Sequence, residues 1–148
     1  MAHVIQGTHN DSVGMLIAGY FHRATGYPVA GPFSAMGWVE NGNLVGQALF
    51  FDYTGANIEI HLNYPNGLKR RNIQQVYDFV FNQSKCERLT AKPYCTNEKL
   101  LQLLERLGFV YEFTQKDYYR EGDKLIDAVV YKLTKSTLPK WVKLNAQA

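Results

Sequence analysis

The sequence of 148 residues predicts a single α/β domain, α+β in some schemes, and three observations lead there. Asn57-Ile58-Glu59-Ile60-His61-Leu62 alternates apolar and polar residues with the period of two that belongs to a strand. It runs through Asn63-Tyr64-Pro65-Asn66-Gly67 into a stretch whose apolar residues Ile73, Val76, Tyr77 and Val80 recur at helical spacing. Two apolar runs, residues 36–40 and 43–51, flank Asn41-Gly42, a turn pair whose tolerance of positive φ makes it the strongest short-range hairpin signal.

The remaining elements follow in order. His3 to Gly7 reads as a short strand-like start. Asn10, Asp11 and Ser12 offer caps for a helix whose apolar face is expected at Val13, Leu16, Ile17, Tyr20 and Phe21, with Gly14 and Gly19 weakening it. Gly26, Pro28, Gly31 and Pro32 forbid regular structure between Ala24 and Phe33, where Tyr27 and Phe33 read as core anchors or as substrate contacts. Asn66 is the expected cap of the basic helix that follows. Cys86 to Lys92 is strand-length and stopped by Pro93. Asn97 caps a helix carrying Leu100, Leu103, Leu104 and Leu107, with Gly108 as its stop. Residues 109–113 and 124–133 read as the last two strands, the second central or covered because both its faces are apolar, with a polar segment between them. Thr134 to Ala148 reads as a tail or short helix after Pro139, with Trp141 docked on the domain.

Composition narrows the functional classes. Hydrophobic residues at 46% and charged residues at 20% suit a folded globular chain. No apolar run of membrane-spanning length and no leader pattern occur, so a cytoplasmic protein is expected. Two cysteines, Cys86 and Cys95, and four scattered histidines offer no metal-ligand spacing, and free thiols are expected. The 16 Lys and Arg and 13 Asp and Glu are unevenly placed. Before Leu68 stand only Arg23 and the acids Asp11, Glu40, Asp52 and Glu59, so 15 basic and 9 acidic residues follow. A basic second half fits an anionic ligand. Nucleic acid is the weaker fit, because no helix-turn-helix, zinc-finger or spaced aromatic platform accompanies the charge.

The junction at Leu62 to Arg71 is the candidate ligand site. A strand entering a helix through a short loop presents unpaired N–H groups and the positive dipole end, the combination that holds phosphate. Lys69, Arg70 and Arg71 add side-chain charge there.

The order of elements, with Arg88-Leu89-Thr90-Ala91, Asn97 and Leu104-Glu105-Arg106-Leu107-Gly108-Phe109, resembles the GNAT N-acetyltransferase superfamily, most of all its small phage and prophage members, over residues 35–133. The resemblance implies a mixed, mostly antiparallel sheet of about six or seven strands with helices on both faces. It implies acetyl-CoA as co-substrate and an amine of a protein or small molecule as acceptor, attacked in a ternary complex. By the same resemblance Glu59 is the general base that deprotonates the acceptor and His61 the second candidate; from their alternation alone both equally fit a solvated sheet face or cross-strand pairs. Leu62, Gly67, Leu68, Lys69, Arg70, Arg71 and Asn97 hold the cofactor, Asn97 otherwise serving as a cap alone.

Two departures stand out. The superfamily loop carries two small residues where Gly67-Leu68-Lys69-Arg70-Arg71-Asn72 carries one glycine, so the cradle is either retained through its cations or closed. The tyrosine that often protonates the departing thiolate is replaced by Leu104, with Tyr111, Tyr118 and Tyr119 as substitutes. A catalytically weak or inactive GNAT-fold protein that binds another protein, a host protein if the chain is phage-encoded, is therefore the alternative function. A homodimer is left open.

Overall fold

The computed structural model describes residues 2–144. Among the described residues seven strands form one mostly antiparallel sheet in the order β1-β2-β3-β4-β5-β7-β6, and the segments joining them supply three α-helices. The chain divides into two compact units, Met1–Thr54 with Ile60–Val76, and Gly55–Glu59 with Tyr77–Ala148. Strand β4 (Asn57–Asn63) contributes its first three residues to the second unit and the rest to the first.

In the first unit, β1 (Ala2–Thr8) pairs antiparallel with β2 (Ser34–Glu40), which pairs antiparallel with β3 (Asn43–Phe51). The hairpin between β2 and β3 turns on Asn41 and Gly42, both at positive φ (51° and 79°), as the dipeptide predicts. Helix α1 (Ser12–Thr25) starts at Asp11, whose carboxylate accepts from the Gly14 amide at 2.7 Å and the Thr8 amide at 3.0 Å. It ends at Gly26 in the left-handed region, with φ of 73°.

The buried face of α1 differs from the expected one. Gly14, Ile17, Ala18 and Phe21 face inward, while Val13, Leu16 and Tyr20 are exposed. The reason is close approach: a Cβ on Gly14 would lie 1.9 Å from the Thr8 carbonyl oxygen, so the missing side chain is what lets the helix lie against β1. Ile17, Ala18 and Phe21 form a core with Phe33, Ala35 and Leu49, and Tyr27 packs against it. Tyr27 and Phe33 thus serve as core anchors. Helix α2 (Arg70–Tyr77) is fixed in this unit by Trp38, whose indole donates to the Gln75 side chain at 2.7 Å.

In the second unit the chain continues from α2 into a π-helical turn (Asp78–Gln83), then β5 (Arg88–Ala91), α3 (Glu98–Arg106), β6 (Val110–Glu121) and β7 (Lys124–Leu133). Asn57–Glu59 of β4 runs parallel to Arg88–Thr90 of β5, and β7 lies antiparallel between β5 and β6. The central position expected for the last strand is therefore correct. Strand β6 is far longer than expected: the segment read as a polar connection is strand, and the turn comes only at Gly122 and Asp123. Polar residues are tolerated there because β6 is an edge strand exposed along nearly its whole length. After β7 a 3-10 turn (Lys135–Thr137) precedes Pro139, at the start of the segment read as a tail or short helix. Trp141 is half-buried, and residues 145–148 of the expected tail lie outside the described residues.

Candidate functional site

Strand β4 leads directly to the candidate phosphate site. Its ladder with β5 covers three residue pairs and ends at Glu59 and Thr90, while β4 itself continues through Leu62 to Asn63. The chain then turns at Tyr64–Gly67, where the Gly67 amide bonds the Tyr64 carbonyl at 3.1 Å and Gly67 takes φ of 89°. Helix α2 begins at Arg70, and its start is closed from within. The buried Asn72 side chain reaches back to accept the Lys69 amide at 2.9 Å, while its own amide donates to the Lys69 carbonyl at 3.0 Å. Asn72 thus does what the sequence suggested for Asn66.

That capping changes the chemistry of the cradle. The Lys69 amide is already bonded, so an anion at this end meets the side chains of Lys69, Arg70 and Arg71 and not that amide. All three side chains are exposed, and the first turn of α2 has no acidic residue. Three cations at the positive end of a helix raise each other's energy, and an anion there relieves it. Leu68, just before them, is half-buried.

His61 sits in the same unit as this loop. Its ring is 4.3 Å from the Tyr27 ring and 5.4 Å from that of Phe51, centroid to centroid, so an aromatic cluster orients it.

Glu59 belongs to the second unit and has a different setting. It is 95% buried, and the ammonium of Lys92 lies 3.4 Å from its carboxylate. Lys92 follows β5, donates to the Tyr118 hydroxyl at 3.5 Å and stands 5.0 Å over the Tyr118 ring. The Tyr119 hydroxyl donates to the Lys92 carbonyl at 2.5 Å, and Tyr119 stacks on Tyr94 at 4.3 Å. Burial works against the charge on Lys92, but Glu59 and Tyr118 outweigh it and hold the ammonium above the ordinary lysine range. Sequence reading missed Lys92, since it stands 33 positions after Glu59 and no local signal links the two.

A second polar group lies on β5. Arg88 makes a fork to the Glu112 carboxylate at 2.8 and 3.2 Å and bonds the Thr90 hydroxyl at 3.1 Å, and Lys132 stands 3.8 Å from Glu112. The Arg88 bonds hold the Glu112 carboxyl below its ordinary range. Thr90 in turn donates to Asn57.

Asn97 caps α3 as predicted, its side chain accepting from the Leu100 amide at 3.3 Å. Leu104 is buried, and Gly108 ends the helix segment at φ of 98°. Among the three tyrosines named as substitutes for the missing acid, Tyr111 pairs with Thr114 and Tyr118 and Tyr119 both bond Lys92. Cys86 is buried and Cys95 exposed, both as free thiols, and burial raises the Cys86 thiol above its ordinary range. Among the described residues no group of His, Cys, Asp or Glu is placed to hold a metal, and no helix is long and apolar enough to cross a membrane.

No protein-family model and no curated protein sequence matches the chain. Solved structures do. The ribosomal-protein-S18-alanine N-acetyltransferase from Escherichia coli is similar at 13% identity and a TM-score of 0.68, over 97% of this chain and 100% of that one. Mutant forms of the spermidine/spermine N-acetyltransferase SpeG from Vibrio cholerae are similar at 13% identity and a TM-score of 0.75, over 90% of this chain and 94% of theirs. A probable acetyltransferase shares 21% identity at a TM-score of 0.58, over 69% of this chain, which spans 61% of that protein's length. At these identities the likeness is one of fold, and the fold is that of the GNAT acetyltransferases.

Proposed function

We propose that this protein is an acetyl-CoA-dependent N-acetyltransferase that passes the acetyl group to an amine of a protein or small molecule by direct attack in a ternary complex. The observation that carries the reading is a fold shared with an N-acetyltransferase along nearly the whole of both chains. Fold alone hosts many activities, so the residues must also fit. The exposed cations Lys69, Arg70 and Arg71 at the amino end of α2 suit the phosphates of CoA, with Gly67 and Leu68 in the loop that leads to them. Beyond Glu59, β4 has left its ladder with β5, and its backbone at Ile60 to Leu62 suits the amide-bearing arm of the cofactor. Asn97, already engaged as a cap, is a further cofactor contact.

In this reading the amine nitrogen bonds to the acetyl carbonyl carbon, the C–S bond breaks and sulfur leaves with the electron pair. Glu59 takes the amine's proton, directly or through water, with His61 as the second candidate. Leu104 cannot donate a proton, and a CoA thiolate is a good enough leaving group to depart without a dedicated acid.

The competing reading, a GNAT-fold module that binds a host protein without turnover, draws on the Lys69 amide being taken by Asn72 and on the apolar Leu104. Calorimetric titration with acetyl-CoA separates the two. The transferase reading expects micromolar affinity, and ligand at about 100 times Kd should stabilise the fold by roughly 2.7 kcal/mol, visible as a rise in Tm of several degrees. Absence of binding at millimolar acetyl-CoA overturns the transferase reading and leaves the protein-binding one.

A further inference from the structure

We infer that the acceptor is a weakly basic amine, the α-amine of a peptide, and that Lys92 is the residue that selects against lysine side chains and polyamines. The inference rests on the transferase reading above and chooses among the amines that it leaves open.

Its basis is the occupant already beside Glu59. An acceptor that arrives as an ammonium needs a carboxylate to receive it, and the buried Glu59 is the carboxylate proposed for that task. The Lys92 ammonium is 3.4 Å from it and is further held by the hydroxyl and ring of Tyr118. The backbone of Lys92 is fixed as well, through the Tyr119 hydroxyl on its carbonyl and through Pro93, whose carbonyl accepts the Val129 amide at 3.0 Å. The carboxylate, the hydroxyl and the ring together place this cation beside Glu59.

A second ammonium brought to Glu59 would share one carboxylate with the first, in surroundings that screen their repulsion poorly. A neutral amine meets no such repulsion. The charge of the rest of the chain acts in the same direction, since 15 basic residues against 9 acidic ones from Leu68 onward disfavour the approach of a polycation.

The amines that arrive neutral are those of low pKa. An α-amine has pKa of about 7.7–8.0 and a lysine side chain about 10.4, so at pH 7.5 roughly a third of the first is unprotonated against about one part in a thousand of the second. With such an acceptor Glu59 has no proton to remove before attack. It takes the proton that nitrogen sheds as the C–N bond forms and the C–S bond breaks.

The test uses the full chain, acetyl-CoA and three acceptors: a peptide with a free α-amine and no lysine, the same peptide amino-terminally blocked and carrying one lysine, and spermidine. The wild-type protein should acetylate the α-amine at least about tenfold faster at pH 7.5 than either other acceptor, a gap that narrows as pH approaches the lysine value. Lys92→Arg, which keeps the charge, should retain the preference, and Lys92→Met should lose most of it. Should Lys92→Met fail to fold with Glu59 unpaired, Lys92→Gln, which drops the charge but keeps a hydrogen-bonding group beside Glu59, carries the same expectation for selectivity. Acetyl-CoA binding with lysine or spermidine preferred overturns the inference alone. An α-amine preference that survives Lys92→Met or Lys92→Gln overturns the role of Lys92. Failure of acetyl-CoA to bind, read by calorimetry on the same sample, removes the transferase reading and this inference together.

Discussion

Asp11 shows how much one side chain can organise. Its carboxylate accepts the amides of Gly14 and Thr8, closing the first turn of α1 and the end of β1 together. The bond from Gly14 contributes most to holding its carboxyl below the ordinary 3.8, and partial burial opposes it. A depressed carboxyl contributes stability that is complete above the unfolded value and is lost as pH falls through the folded one. The urea midpoint of the wild-type protein should therefore drop below about pH 4, and Asp11→Asn, which keeps a capping oxygen without the charge, should flatten part of that drop. An equally steep acid drop in Asp11→Asn would place its origin elsewhere. The cap was legible in the sequence because its signal lies within three residues. Gly14 was not, since a residue without a side chain reads as a weak helix former, whereas here the backbone approach of Thr8 requires it.

Legibility at the level of elements follows how local the cause is. The Asn41-Gly42 hairpin, the cap at Asn97 and the stop at Gly108 are set by a few adjacent residues and stand where expected. The extent of β6 is set by its pairing with β7, including register shifts after Tyr111 and Gln115, which no local pattern encodes. The start of α2 depends on a buried Asn72 side chain reaching back to Lys69, a choice between asparagines that spacing alone does not make. Of the candidate site, the cationic loop and Glu59 could be named from the sequence, but the ion pair of Glu59 with Lys92 needed the fold. Helix α3 offers a clean test of what Asn97 does. Asn97→Ala should cost about 1 kcal/mol, and Asn97→Asp should restore it by capping equally well. If the residue is a cap alone, Asn97→Asp keeps wild-type affinity for acetyl-CoA in calorimetry. A loss of affinity in a variant of unchanged urea midpoint would instead place Asn97 at the cofactor.

At the scale of the molecule, charge decides how the protein meets an anionic ligand. A net charge of +3 is small, but it arises from an acidic start followed by a strongly basic remainder, near whose beginning stand Lys69, Arg70 and Arg71 at the amino end of α2. An anion is drawn by the summed field at long range and bound by Lys69, Arg70 and Arg71 at short range. Salt separates the contributions, because a Debye length of about 10 Å at 0.1 M leaves close pairs intact and quenches the distant field. Raising salt from low to moderate concentration should therefore slow acetyl-CoA association and weaken its affinity several-fold, with a smaller effect on dissociation. Replacing Lys69, Arg70 and Arg71 together by Ala should reduce affinity by more than about tenfold, mainly through faster dissociation, and leave much of the salt dependence of association in place. Tm should hardly change, since all three side chains are exposed and lie where the helix dipole disfavours cations. Stopped-flow association at several ionic strengths, with a melting curve of the triple variant, measures all of this. Unchanged affinity in a folded triple variant would mean that the phosphates are held elsewhere, and the amino end of α2 would then be a solvated basic face.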